Sequence, residues 1–107
     1  MTVPEIEARD IPSGGFLLDV REQGEWVAGH APEAVHIPMS EIQTRLDEVP
    51  AGRTVYVVCR VGGRSFQVAA WLNQLGREAV NVDGGMQSWE QQKLPMVSET
   101  GQSPFIA

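Results

Sequence analysis

The only cysteine of the chain, Cys59, is followed at once by two arginines and two glycines in the stretch CRVGGRS, residues 59–65. A cysteine is a nucleophile as its thiolate, and glycines let a backbone adopt positive φ values or approach a bound atom closely. Arg60 and Arg64 place two permanent positive charges on either side of those glycines. These residue types at this spacing indicate a nucleophilic thiol in an anion-binding loop.

The loop predicts a lowered pKa for Cys59. If it wraps around the sulfur, its N–H groups point inward, and the helix that follows adds the positive end of its dipole. No histidine is placed along the sequence as a base, so we expect activation by electrostatics. The alternative is an inert core thiol, but charges that need water or an anion would not follow such a residue. The residues expected to form the loop and to bind a substrate are Arg60, Val61, Gly62, Gly63, Arg64 and Ser65.

Asp19 and Arg21 are candidates for supporting roles. They follow the apolar run FLL, so they are expected near the same sheet edge as Cys59. Asp19 would either orient a loop arginine or amide or, as we favour, join Arg21 and Glu25 in structural caps and ion pairs beneath the site.

Two histidines and a tryptophan have less specific interpretations. His30 and His36 lack a fourth metal ligand at suitable spacing, so neither a metal nor another cofactor is expected. His30 is interpreted as a hydrogen-bonding turn residue. Trp89 is interpreted mainly as a packing residue of the last helix, although an aromatic ring near the site would also line a pocket.

Cys59 stands between a predicted strand and a predicted helix. Thr54–Val58 is rich in β-branched and aromatic residues, which favours a buried strand. Ser65 is predicted to cap the helix, and Gly76 to close it in the C′ position. The apolar positions of this helix recur every three residues, at Phe66, Ala69, Leu72 and Leu75.

The rest of the chain alternates short helices with short strands. Helices are predicted at residues 4–9, 21–29 with an interruption at Gly24, 40–49 and after the glycine pair 84–85. Strands are predicted at residues 16–20, 35–37 and 79–82. This alternation predicts a single α/β domain with a mostly parallel central sheet of about five short strands and helices on both faces. Ligands of such sheets bind beyond the carboxyl ends of the strands, where Cys59 falls.

Composition limits the classes of partner. The 107 residues suit one domain, placed at 1–96 with a polar tail at 97–107, and a single cysteine forms no disulfide within the chain. The formal charge of −6, from 14 acidic and 8 basic residues, disfavours nucleic acid or an anionic membrane as a partner. Because no long apolar span or leader-like N-terminus stands out, a cytoplasmic location is expected.

Four motifs, in order, resemble those of the rhodanese domain superfamily across roughly residues 2–95. LLDVREQGEW and GHAPEAVHIP resemble its first signature, CRVGGRS its active-site loop, and NVDGGMQSW its C-terminal signature. One departure is Glu33, which stands where the first signature commonly has glycine after the proline. This difference changes the turn and leaves the loop chemistry untouched.

The resemblance implies sulfurtransferase activity through a persulfide on Cys59. The sulfane sulfur would come from thiosulfate or a persulfide donor and pass to an acceptor, which is cyanide in assay and a thiol, free or on a protein, in the cell. Loop amides would stabilise the persulfide anion. Arg60 and Arg64 would bind the oxyanion end of thiosulfate.

Two other functions remain as alternatives. One is a persulfide carrier or interaction module that serves a dedicated protein partner. The other is a phosphatase-like or purely structural domain. The resemblance argues against a phosphatase, because only four residues separate Cys59 from Arg64 here, whereas the cell-cycle dual-specificity phosphatases of the same fold have a longer loop.

Overall fold

A parallel sheet of five strands forms the centre of the protein, whose computed structural model describes residues 2–107. The strands are β1 (Glu5–Glu7), β2 (Phe16–Asp19), β3 (Val35–His36), β4 (Thr54–Val58) and β5 (Glu78–Asp83). They lie in the order β1-β5-β4-β2-β3, and every neighbouring pair is parallel. The helices are α1 (Gln23–Ala28), α2 (Gly63–Gln74) and α3 (Gly85–Gln91), with short 3-10 helices at Ala8–Asp10, Met39–Glu41 and Leu46–Glu48.

Both faces of this sheet are covered, which explains why its central strands are nearly continuous apolar runs. One face packs against α2 in a cluster that includes Leu18, Val55, Val57, Val68, Ala69 and Leu72. The other face packs against α3 in a cluster that includes Leu17, Val58, Val82, Met86 and Trp89. The predicted α/β fold, with a parallel sheet and helices on both faces, is confirmed.

The helix predicted at residues 4–9 is wrong. This segment forms β1 at the sheet edge, followed by a 3-10 turn, with Ile6 in register with Val82 of β5. The Pro4 carbonyl accepts a hydrogen bond of 2.8 Å from the backbone N–H of Asn81. So short a segment gains more from pairing with an existing sheet than from an isolated helical turn, because helix nucleation is unfavourable.

Two other helix predictions need correction. Residues 40–49 form two separate 3-10 turns instead of one helix, and the Thr44 hydroxyl donates to the Glu41 carbonyl within the turn region. Such side-chain bonds compete with the regular helical pattern. The interruption predicted at Gly24 is absent, since α1 runs through it. A capping box between Glu22 and Glu25 stabilises that first turn.

Helix α2 begins earlier than its predicted cap. Gly62, with φ of +119°, is the N-cap, and Ser65 lies buried in the first turn. Ala69 and Leu72 are buried as predicted, and Ser65 and Val68 complete the buried face of the helix. Phe66 and Leu75, predicted inside, are 41% and 46% exposed. Gly76 has a φ of +85° and occupies the predicted C′ position.

The C-terminal segment, residues 97–107, packs on the domain. Val97 pairs with His30 in an antiparallel bridge, and the Glu99 amide donates to the Val27 carbonyl at 2.9 Å. Further along, the Phe105 amide donates to the Ala28 carbonyl at 3.1 Å. These bonds join the segment to the end of α1.

The contact of this segment with Gly29 gives a first test. A Cβ at Gly29 would lie 2.4 Å from the Phe105 carbonyl oxygen, whereas its φ of 177° is extended backbone that any residue adopts. Gly29→Ala should therefore displace the segment without straining the residue itself. Hydrogen exchange at the Phe105 amide should accelerate by about tenfold or more, because its bond is lost.

Gly24→Ala is the matched control, since a Cβ there meets nothing within 4 Å. It should leave exchange at Phe105 unchanged. If the Phe105 amide exchanges no faster in Gly29→Ala than in Gly24→Ala, Gly29 does not hold the segment in place.

Candidate active site

Cys59 directly follows β4, at the carboxyl edge of the sheet, and only 1% of its surface is exposed. The left-handed conformation of Gly62 turns the chain back, so that its amide donates to the Cys59 Sγ at 3.1 Å. The Ser65 hydroxyl lies 3.2 Å from the same sulfur. The loop and the first turn of α2 therefore surround the sulfur with donors.

These donors change the pKa of Cys59. Burial has the largest single effect and raises the pKa of the thiol. The Ser65 hydroxyl and the backbone amides of Val61, Gly62 and Ser65 lower it, and together they outweigh burial. The pKa of Cys59 thus lies below its ordinary value. The N-terminus of the twelve-residue helix α2 favours the anion further.

The first residues of α3 form hydrogen bonds to backbone carbonyls of the loop. The Met86 amide donates to the Cys59 carbonyl at 2.8 Å, and the Gln87 amide donates to the Arg60 carbonyl at 2.9 Å. A Cβ at Gly85 would lie 2.5 Å from both carbonyl oxygens, so only glycine permits this approach. The glycine pair of the NVDGGMQSW motif therefore has a physical role, which is to dock α3 against the loop.

Asn81, which the sequence analysis missed, supports the loop from β5. Its side chain is buried, its Oδ1 accepts from the Ser65 hydroxyl at 2.6 Å, and its Nδ2 donates to the Glu5 carboxylate at 2.8 Å. Ser65 thus has one proton for two acceptors. A thiolate at Cys59, as the charged acceptor, competes with Asn81 for this proton. The available signal was an asparagine in the middle of the otherwise apolar strand AVNV.

Arg64 is paired within the protein. Its two terminal nitrogens donate to both carboxylate oxygens of Glu25, at 2.8 and 2.9 Å. This pair lowers the pKa of Glu25 to about 2, against the opposing effect of burial, and raises that of Arg64. The Glu22 amide also donates to Glu25, at 2.9 Å. Arg64 and this carboxylate lie 39 residues apart, so their pairing was not predicted from local patterns.

Arg60 and Val61 lie on the outer side of the loop. The Arg60 Nε donates to the Ala107 carbonyl at 3.0 Å, so the C-terminal segment reaches the site. Val61 is 54% exposed. The role of Arg60 and Arg64 in binding a substrate anion stays a prediction.

Asp19 and Arg21 form a fully buried ion pair at the end of β2. The Arg21 Nε and Nη2 donate to the Asp19 carboxylate, and Nη2 also donates to the Gly29 carbonyl at 2.7 Å. These bonds tie β2 to the turn after α1. Contact of either residue with a substrate stays a prediction.

The histidines bond to groups of the protein. His30 Nδ1 lies 2.8 Å from the Ala31 carbonyl oxygen, and its Nε2 lies 2.6 Å from the Glu99 carboxylate. His36 Nε2 lies 2.7 Å from the Arg21 carbonyl oxygen. Within residues 2–107, the His, Cys, Asp and Glu side chains form no group of three that could hold a metal ion.

Trp89 packs in the core on the α3 face, with its Nε1 donating to the Pro95 carbonyl at 2.9 Å. It borders a surface cavity lined also by Ala8, Leu17, Ala31 and Leu94. None of the loop residues lines that cavity.

Fold and site together define a class: a parallel α/β domain whose single cysteine lies in a short loop between a central strand and a helix N-terminus. The chain belongs to the rhodanese family, because the family model for the rhodanese-like domain matches residues 5–92. The resemblance seen in the sequence motifs is confirmed.

Relatives agree with this assignment. A sulfurtransferase of Allochromatium vinosum is 40% identical over 87 residues, which are 80% of this chain and 81% of that protein. The "Putative sulfur carrier protein YrkF" of Bacillus subtilis is 36% identical over 74 residues, which are 68% of this chain and 40% of that protein. The crystal structure of a rhodanese-related protein from Thermoplasma volcanium has a TM-score of 0.82 and 33% identity, covering 88% of this chain and 97% of that one.

Removal of the Ser65 hydroxyl tests the origin of the low thiol pKa. Ser65→Ala should raise the pKa of Cys59, because a hydrogen bond to the charged sulfur is lost. Since Cys59 is the only cysteine, the rate of iodoacetamide alkylation against pH reports its ionisation alone. The midpoint of that profile should move to higher pH.

Ser13→Ala is the control, because Ser13 is exposed in a loop remote from Cys59 in sequence. Its profile should match that of the unaltered protein. An unshifted midpoint in Ser65→Ala would mean that the backbone amides alone set the pKa.

Proposed function

We propose that this member of the rhodanese family is a sulfurtransferase that carries a sulfane sulfur as a persulfide on Cys59. The donor is thiosulfate or a persulfide, and the acceptor is a thiol in the cell or cyanide in assay. The single observation that carries this proposal is the buried Cys59 Sγ, which accepts a hydrogen bond from the Gly62 amide and lies beside the Ser65 hydroxyl. A thiol in such surroundings has the thiolate character that sulfur transfer needs.

The reaction has two balanced halves. In the first, the Cys59 thiolate attacks the outer sulfur of thiosulfate, the S–S bond breaks, and its electron pair leaves with sulfite, so that Cys59 carries the new –S–S⁻ group. With a persulfide donor, a thiolate leaves in place of sulfite. In the second half, an acceptor attacks the outer sulfur and the Cys59 thiolate is restored.

The loop can stabilise Cys59 both as a thiolate and as a persulfide anion. Its amides need no rearrangement to stabilise an anion, because the Gly62 turn and α3 fix them in place. The same donors that lower the pKa of the Cys59 thiol make its thiolate a better leaving group in the second half. No cofactor is needed for either half.

A carrier function is the second candidate. It is favoured by the similarity to the protein named as a sulfur carrier and by the exposure of Val61, two residues after Cys59. A carrier would form the same persulfide and require a protein partner for efficient delivery. Slow turnover with small acceptors and fast turnover with one protein thiol would favour it.

The catalytic unit that we propose is residues 1–96, with 97–107 as an added segment on its surface. Within residues 2–107, no helix has the length and apolar character of a membrane span. We place the protein in a reducing compartment such as the cytoplasm, because the reaction needs Cys59 as a free thiol.

Intact mass measurement tests the proposal. Incubation with thiosulfate or a small persulfide should add one sulfur atom, about 32 Da, to the protein, and cyanide should remove it. Cys59→Ser, which differs by one atom, should gain no mass under either condition. A sulfur adduct on the variant, or none on the unaltered protein with both donors, would contradict the proposal.

A further inference from the structure

Both guanidinium groups of the active-site loop are already bonded to the protein itself. Arg64 makes two parallel hydrogen bonds to Glu25, and Arg60 donates to the Ala107 carbonyl. The Arg64 contact is the stronger of the two, because it joins full charges in a two-pronged geometry. The positive charge closest to Cys59 along α2 is therefore largely neutralised.

Glu25 is built into this position. The Glu22 amide donates to its Oε1 at 2.9 Å as part of the capping box of α1, and its side chain is largely buried. Its pKa of about 2, held low chiefly by Arg64, keeps it ionised across the pH range of any practical assay. Glu22 adds a second negative charge that acts on Arg64. Arg64 thus bonds to one carboxylate and feels the charge of a second.

The pairing of Arg64 with Glu25 affects sulfur donors of different charge differently. Thiosulfate is a dianion that has to displace Glu25 from Arg64 or lie beside an ionised carboxylate. A persulfide with an uncharged or cationic body brings less negative charge to the same place. Like-charge contact disfavours a ligand as strongly as opposite charge favours it.

We propose that Glu25 is a specificity-determining residue, which neutralises Arg64 and so makes the Cys59 site prefer persulfide donors of low net charge over thiosulfate. This inference rests on the sulfurtransferase function proposed above. With such a donor, RSS⁻ whose R group carries a balancing positive charge, the Cys59 thiolate attacks the outer sulfur, the S–S bond breaks, RS⁻ leaves, and Cys59 carries the –S–S⁻ group.

Glu25→Gln tests this role. Glutamine keeps an oxygen that accepts from the Glu22 amide, so the cap of α1 is preserved, while the charge and one of the two hydrogen bonds from Arg64 are removed. The probes are thiosulfate and the persulfide of cysteamine, whose ammonium group balances its persulfide charge. The ratio of kcat/KM for thiosulfate to that for the persulfide should rise about threefold to fivefold, the range of a partly exposed ion pair. The change should lie mainly in a lower KM for thiosulfate.

Two further variants serve as a second test and as a control. Glu22→Gln, at an exposed position beside the same arginine, should shift the ratio in the same direction by less, and it serves if Glu25→Gln folds poorly. Glu48→Gln removes the same charge from a similar pair with Arg45 elsewhere on the chain, and should leave the ratio unchanged. A simple loss of structure would lower both rates together.

The outcomes separate this inference from the proposed function. A persulfide formed on Cys59 by both donors, with a ratio that is unchanged or lower in Glu25→Gln, would overturn the inference alone. A lower ratio would assign Glu25 to holding Arg64 in place for thiosulfate. If neither donor forms a persulfide on Cys59, the proposed function and this inference are both overturned.

Discussion

A sulfur anion enclosed by protein is stable only if hydrogen-bond donors surround it before it forms, since burial alone favours the neutral thiol. Cys59 meets this constraint through the first turn of α2. Gly62, at a φ of +119°, turns the backbone so that donors face the sulfur, and Ser65 adds its hydroxyl from one turn later. The pKa of the thiol falls although the residue is buried.

A loop whose amides point inward has carbonyls that point outward, and these need donors of their own. The α3 amides of Met86 and Gln87 supply them, and the approach requires a glycine at position 85. Asn81 of β5 fixes the Ser65 hydroxyl from the side. Three consecutive elements at one edge of the sheet therefore hold a single sulfur atom, and the motif residues that seem unrelated in sequence serve one contact.

Much of this arrangement could be predicted from the sequence. The apolar run before Cys59 marks β4, and the glycines after it mark a turn, because both signals depend on local chemistry alone. The edge strand β1 could not be predicted, since only its pairing with β5 makes residues 5–7 extended. The pairing of Arg64 could not be predicted either, and its permanent charge indicated an anion-binding group instead. Its partner Glu25 lies 39 residues away and only the fold brings it near. Long-range pairing is what local patterns leave open.

A crystal structure of the protein after exposure to a small persulfide would show whether the loop is organised around a sulfur anion before one forms. We expect one additional sulfur bonded to the Cys59 Sγ and enclosed by the amides of the loop, with Gly62 and α3 in unchanged positions, because the donors are already in place. An outer sulfur that points away from the loop into solvent, or a loop that unfolds from α3 to admit it, would contradict the claim that this loop is organised in advance around a sulfur anion.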